Sequence, residues 1–446
     1  MLHVWGGTTL NYKETHNKAG HLVIGGCDVV KLASQWGTPL YVFDEEEVVN
    51  SVNTFRDALS SLPDYEIIYA GKALLTLGIA RFMANLGLSL DVVSGGELYM
   101  ALTAGFPPEK IYFHGNNKTA AELDTALEVG IGRIVVDNLY ELEFLSDLAR
   151  KKGRSADIML RIMPGVEAHT HSYIQTGQLD SKFGISVANN QAVDAIKLAA
   201  SLPRINLRGL HCHIGSQIFE LASYAKTIDV MMAIMANAKA AGIMLPELDL
   251  GGGLGIKYIT GDQPASTQEF GKFLAEALHS AAAKYELEMP KIMVEPGRSL
   301  VGAAGTTIYR VGSIKENKGG RTYAAVDGGM GDNPRVALYQ ARYHAVVANK
   351  MGQSPEKTYT IVGKYCESGD VLINNIQLPR LEPGDLLAVF CTGAYNYTMA
   401  SNYNAIPRLP IVTVYRGSSD LVVEREQYQD LIRLHRIPER WLKDGV

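Results

Sequence analysis

Three observations on the sequence predict an α/β protein with a (β/α)8 barrel and a second, mostly β unit. Eight strand candidates alternate with helical patterns between residues 66 and 295. Most of these strands are short apolar runs rather than alternating ones, as expected of parallel strands buried on both faces. Past the eighth strand the texture changes to strands and turns. A doubly wound open sheet would share the alternation, but the break after strand eight favours the closed barrel.

Residues 1 to about 42 read as strand and loop, with Leu22-Val23-Ile24 and Pro39-Leu40-Tyr41-Val42-Phe43 as the apolar pieces. Asp44 reads as a helix N-cap, and Glu47 completes a capping-box pattern ahead of Val48, Val49, Val52 and Phe55. Strands are then predicted at Glu66–Lys72, Leu88–Ser94, Lys110–His114, Arg133–Asp137, Asp157–Ile162, Leu207–Ile214, Glu247–Leu250 and Lys291–Glu295. Helical patterns follow most of them, at Leu74–Leu86, Gly96–Ala104, Ala120–Gly130, Leu139–Lys151, Asn190–Ala200, Leu221–Ala241 and Thr267–Tyr285. The break falls near Leu300–Ile314. Beyond it strands are expected at Tyr323–Asp327, Tyr343–Ala348, Thr358–Val362, Leu386–Phe390 and Ile411–Val414, with helical periodicity only at Gln427–Arg433. The N-terminal strands have no obvious partner in the barrel. Residues 1–43 are therefore expected to join residues 311–446 in a discontinuous β-rich domain, leaving 44–310 as the barrel.

The bulk numbers narrow the function. A chain of 446 residues holds two or three domains, and 47% hydrophobic with 20% charged residues is ordinary for a globular enzyme. The net charge, 42 − 47 = −5, gives no electrostatic reason to expect nucleic acid or an anionic membrane as partner. Cys27, Cys212, Cys366 and Cys391 are far apart and lack a CxxC spacing, which points away from disulfides and zinc and toward a reducing cytoplasm. The N-terminus lacks a signal-peptide pattern, and no apolar run reaches the ~18 residues of a membrane span.

Unusual polar groups fall at strand ends, where barrels of this type concentrate function. Lys72 stands where the first strand meets a helix, so a scaffold can hold its amine and a ligand can reach it. Such a lysine can be a Schiff-base nucleophile once its surroundings lower its pKa, although alone it would read as a solvated strand end. Ser94-Gly95-Gly96-Glu97 ends the second strand. His211-Cys212-His213-Ile214-Gly215-Ser216-Gln217 ends the sixth. The run Gly251-Gly252-Gly253 can turn backbone N–H groups toward an anion, and Gly297-Arg298 makes a second glycine loop after strand eight. Loops after strands seven and eight commonly hold a phosphate. Glu295 could hold a proton on a pyridine nitrogen, which keeps pyridoxal phosphate (PLP) an electron sink. His213, nearer the strand end than His211, could stack on that ring. The His-x-His pair could bind metal, but no third ligand has convincing spacing, so no metal is expected.

The β unit carries further candidates. Arg335 and Tyr339, four apart, would share one face of a helical turn, and together suit a carboxylate. Tyr365-Cys366-Glu367-Ser368-Gly369-Asp370 places a thiol and a carboxylate in a glycine-containing loop, and Tyr395 could donate to a phosphate. Each has a plain reading as a surface group when taken alone.

Taken together, Tyr69-Ala70-Gly71-Lys72-Ala73, His-x-His-Ile-Gly-Ser-Gln, the triple glycine, Glu-Pro-Gly-Arg and Cys-Glu-Ser-Gly-Asp resemble the diaminopimelate decarboxylases, of the alanine-racemase-like fold-type III PLP enzymes. The likeness runs from about residue 20 to 415. It implies a PLP-binding TIM-like barrel with a barrel-like β domain built from both chain ends. It further implies that Lys72 carries PLP, that His213 stacks on its ring, and that Glu295 pairs with the pyridine nitrogen. Gly253, Ser216, Tyr395 and the backbone around Gly297 and Arg298 would complete the cofactor site. Arg298, Arg335, Tyr339 and Tyr395 would hold substrate carboxylate. Cys366 and Glu367 would come from the partner subunit of a homodimer, with Glu367 on substrate and Cys366 or Lys72 as proton donor. Two departures from the family pattern are visible: Val336 replaces a proline, and Gly363-Lys364 stands where Gly-Pro is usual. The implied activity is decarboxylation of meso-diaminopimelate to L-lysine in the cytoplasm. The rivals are related decarboxylases of ornithine, arginine or carboxynorspermidine, an alanine-type racemase, and a non-catalytic PLP carrier.

Overall fold

Along each barrel strand, side chains at every second position point inward, and this period of two builds the site. The computed structural model describes residues 15–166 and 181–442. The barrel strands are β1 (Tyr65–Ala70), β2 (Ser89–Val92), β3 (Ile111–Phe113), β4 (Arg133–Val136), β5 (Ala156–Met163), β6 (Ile205–His211), β7 (Glu247–Asp249) and β8 (Lys291–Val294). All neighbours are parallel, and β8 pairs with β1 to close the ring. The predicted closed barrel is the one observed.

Inside the ring the side chains form three layers. At the N-terminal end, Arg133 pairs with Glu247, Lys291 with Glu66 at 2.6 Å, and Tyr112 donates to Glu66 at 3.0 Å. Above them Ile68, Tyr112, Val135, Met159 and Met293 form a buried plug. One pleat higher, at the C-terminal end, lie Asp91, His114, Asp137, Arg161, His211 and Glu295, all buried. Half-buried ion pairs contribute little net stability, whereas each fully buried apolar side chain contributes roughly 1.5–3 kcal/mol. The plug and the outer core between strands and helices therefore hold the barrel together, and the bottom ion pairs mainly fix its register.

The second unit is mostly β. Its sheet runs Val371–Leu378, Lys357–Val362, Thr322–Val326, Gly305–Glu316, Leu40–Asp44, Ile411–Tyr415 and Ser418–Val423, with Leu386–Phe390 bonded to Gly305–Glu316 and to Ala345–Val347. The N-terminal strand thus sits between two C-terminal ones, antiparallel to Gly305–Glu316 and parallel to Ile411–Tyr415. Leu22, Val29, Leu32, Leu40 and Val42 share one core with Ile308, Leu387 and Val412. Among the described residues, no helix is long and apolar enough to cross a membrane.

Several elements differ from expectation. The break near residues 300–314 contains a 12-residue strand, Gly305–Glu316, whose edge is shared among three neighbours. Residues 29–36, expected as strand or loop, form a helix capped by Asp28, which accepts from Val30 N and Lys31 N. The β-branched pair Val29-Val30 disguises it, but Val29, Leu32 and Ala33 supply a buried helical face. Val371–Leu378 and Ser418–Val423 are further strands that were not expected. Strand β1 ends at Ala70, so Lys72 lies in a 3-10 turn, Gly71–Ala73, and the following helix starts only at Leu77.

Candidate active site

The turn that carries Lys72 is clasped from the second unit. Tyr395 N donates to Ala73 O at 2.8 Å, and Thr398 Oγ1 donates to Lys72 O at 3.2 Å. Lys72 Nζ lies 3.8 Å from Asp91 Oδ2, on the neighbouring strand β2. Burial pushes this amine down, but Asp91, with Tyr395 and Glu295 behind it, holds it above its ordinary value. The expected lowering is thus reversed for the free amine, because the expectation took no account of Asp91.

Glu295 follows β8 and is clamped by two histidines. His114 Nε2 lies 2.9 Å from Oε1, and His211 Nε2 lies 3.3 Å from Oε2. Burial alone would raise this carboxyl; the two imidazoles outweigh it and hold it well below the usual carboxylate range. His211 falls to about 4, chiefly by burial. The loop after β3 that positions His114 is pinned by Lys118, which donates to Gly115 O, Val135 O and Glu141 at 2.7–2.8 Å. The His-x-His pair does not act as a pair. His211 turns inward to Glu295 and His114, with ligand-type atoms of all three within 4.8 Å of one another. His213 stands at the cavity, where its Nδ1 accepts from Gly252 N at 3.2 Å and burial keeps the ring neutral.

The glycine loops are required by close packing. Gly253 has φ +116°, and a Cβ there would come within 2.5 Å of Gly215 O. A Cβ on Gly297 would meet Ala70 and Ala73 Cβ at 3.0 Å. Gly253→Ala is expected to cost about 1–3 kcal/mol through this contact and the positive φ. Melting temperature and retained cofactor, measured together on the purified variant, check this. The Ser94-Gly95-Gly96-Glu97 motif has a structural use: Ser94 Oγ accepts from Glu97 N and Glu97 reaches back to Val93 N, starting the helix Gly95–Thr103.

Two guanidiniums meet above the barrel. Arg298 Nη2 donates to Ser216 Oγ at 3.0 Å, and its plane lies 4.8 Å from the Tyr395 ring. Arg335 Nη1 donates to Tyr258 OH at 3.0 Å and to Tyr343 OH; Arg298 also donates to Tyr258 OH. Both arginines are buried. Neither has an acidic partner among the described contacts, so each is available to an anion.

One cavity of about 490 Å³ is lined by Lys72, His213, Ser216, Gly253, Glu295, Gly297, Arg298, Arg335, Tyr339 and Tyr395, all expected site residues. Cys366 and Glu367 are exposed and stand outside its lining. His114, Asn116, Arg161, Lys182 and Phe183 also line it and were not anticipated. Asp91, His114 and Arg161 occupy alternate inward positions of otherwise apolar strands, a signal present in Ser89-Leu90-Asp91, Tyr112-Phe113-His114 and Met159-Leu160-Arg161.

Residues 46–302 match the family model for the pyridoxal-dependent decarboxylase, pyridoxal binding domain. A diaminopimelate decarboxylase of Bacillus subtilis is 50% identical over 420 residues, 94% of this chain and 96% of that one. The chain belongs to the diaminopimelate decarboxylase family of fold-type III PLP enzymes. The Synechocystis diaminopimelate decarboxylase is 44% identical, covering 96% of this chain and 92% of its own. In three dimensions the chain superposes on the diaminopimelate decarboxylase of M. jannaschii, solved in co-complex with L-lysine, with a TM-score of 0.90 and 36% identity over 97% of this chain and 100% of that one. A lysine/ornithine decarboxylase of Vibrio vulnificus, solved with putrescine, is more distant, at 26% identity and a TM-score of 0.75 over 87% and 97%. Family membership makes PLP the cofactor, and the site fits it. A buried carboxylate held well below its ordinary range, Glu295, lines the same cavity as Lys72, Ser216 and the Gly253 and Gly297 loops, a donor set suited to a protonated pyridine ring and a phosphate.

Proposed function

We propose that this chain removes a carboxyl group from meso-2,6-diaminopimelate, giving L-lysine and CO2, the last step of lysine biosynthesis. The observation that carries the reading is a single cavity that joins Lys72 and an ionised Glu295 to two buried guanidiniums, Arg298 and Arg335. Diaminopimelate has a carboxylate and an ammonium at each end, so its distal end needs charged partners that ornithine's lone distal ammonium does not.

Bound PLP supplies a ring that draws electrons from the substrate α-carbon as CO2 departs. Lys72 would hold it through Nζ. Glu295 would keep a proton on the ring nitrogen, and His213 would lie against the ring. Ser216, Gly253, Tyr395 and the backbone at Gly297 and Arg298 would hold the phosphate. Arg298, Arg335, Tyr339 and Tyr395 would bind and orient substrate carboxylate. A proton must return to the carbon that lost CO2, and Lys72 Nζ or Cys366 Sγ would deliver it. The exposed positions of Cys366 and Glu367 support a homodimer in which a second copy brings them to the cavity. Four unpaired thiols support a cytoplasmic location. The same reading assigns residues 44–310 to the cofactor domain and 1–43 with 311–446 to the other. Within that division, Gly305–Glu316 begins on the barrel side and crosses over.

Incubating the PLP-loaded protein with diaminopimelate, ornithine, arginine and carboxynorspermidine, and measuring CO2, tests the substrate. Rapid release from diaminopimelate is expected. Fast turnover of any of the other three, with none on diaminopimelate, would overturn the reading.

A further inference from the structure

His114 stands between two buried carboxylates, Glu295 and Asp91. Its Nε2 is 2.9 Å from Glu295 Oε1 and 3.9 Å from Asp91 Oδ1. Asp91 in turn lies 3.8 Å from Lys72 Nζ. On the far side, His211 holds the other Glu295 oxygen, and its ring meets that of His114 edge-on at 4.8 Å. Asp249 also adjoins Glu295, and burial followed by the Glu295 charge raises it well above its ordinary value. Neither Asp91 oxygen has a hydrogen bond. Two buried carboxylates so close together cannot both stay ionised without a cation or donor between them.

We propose that His114 is a positioning residue: it orients and polarises Glu295 toward the ring nitrogen of bound PLP while facing the Asp91 carboxylate that steadies Lys72. The inference rests on the cofactor reading above. The histidine touches the carboxylate rather than substrate, so its removal acts on cofactor binding and on the chemical step, not on substrate affinity. His211 holds the other Glu295 oxygen, whereas His114 lies beside both acids and so links them.

The test compares wild type with His114→Phe, which keeps a ring and removes the donor, and His114→Gln, which keeps a donor. His114→Asn, polar but shorter, covers the case in which the Phe variant does not fold. PLP affinity of each apoprotein, the absorbance of the loaded form, and kcat and KM are read alongside a melting curve. Loss of the 2.9 Å contact with a buried carboxylate predicts PLP binding weakened roughly 10- to 100-fold in the Phe and Asn variants. Their kcat should fall by a similar factor with KM within about twofold, and Gln should recover most of both. Folded Phe or Asn variants with wild-type PLP affinity and kcat, or with a changed KM alone, would overturn the proposal. A wild-type apoprotein that does not bind PLP would instead overturn the cofactor reading.

Discussion

Lys72→Ala is expected to lower kcat by roughly 10^4-fold or more and to lose the visible absorbance of covalently held cofactor. The amine sits on a short turn whose backbone is bonded to the second unit through Ala73 O and Lys72 O, so its position is fixed before any ligand arrives. Alanine removes the only atom that can hold the cofactor covalently from this turn, and leaves Asp91 buried without its cation. Some PLP should still bind, through the glycine loops and Glu295, but gel filtration should strip it. Lys182 also lines the cavity and is the informative control. Retained absorbance and activity in Lys72→Ala, lost on Lys182→Ala, would assign the cofactor to the wrong-looking lysine.

Cys366→Ala should be nearly as damaging, and mixing it with Lys72→Ala should restore activity. If each site takes Lys72 from one copy and Cys366 from the other, a mixed dimer has one site with both native residues. Random exchange makes half of the dimers mixed, so about a quarter of wild-type activity should return. The exposure of Cys366 and Glu367 in a single chain is what motivates the experiment. Sedimentation of the mixture under assay conditions establishes that dimers are present. No recovery in a demonstrably exchanged dimer would place both residues in one chain's own site.

Much of this site was legible because its members break the local pattern. A lysine, a histidine, a glutamate and an arginine at the ends of apolar strands are conspicuous, and the glycine runs beside them are too. Asp91 and Arg161 were hidden inside short strands that read as apolar, and His114 at the end of another. Only the inward period of two, applied inside strands of three or four residues, would have exposed them. Tyr258 carried no local signal, because it reaches Arg335 from 77 residues away through tertiary packing, and Tyr343 lies eight residues on, beyond the four-residue spacing that singled out Tyr339. Gly305–Glu316 was misread for a related reason. A strand split among three partners has no single hydrophobic face, so its pattern looks like an interruption.

The plug of Ile68, Tyr112, Val135, Met159 and Met293 makes the barrel a cup with a sealed floor. Substrate, departing CO2 and the product must all use the same rim. A cup of this kind has one doorway, so whatever narrows the rim governs entry and exit together.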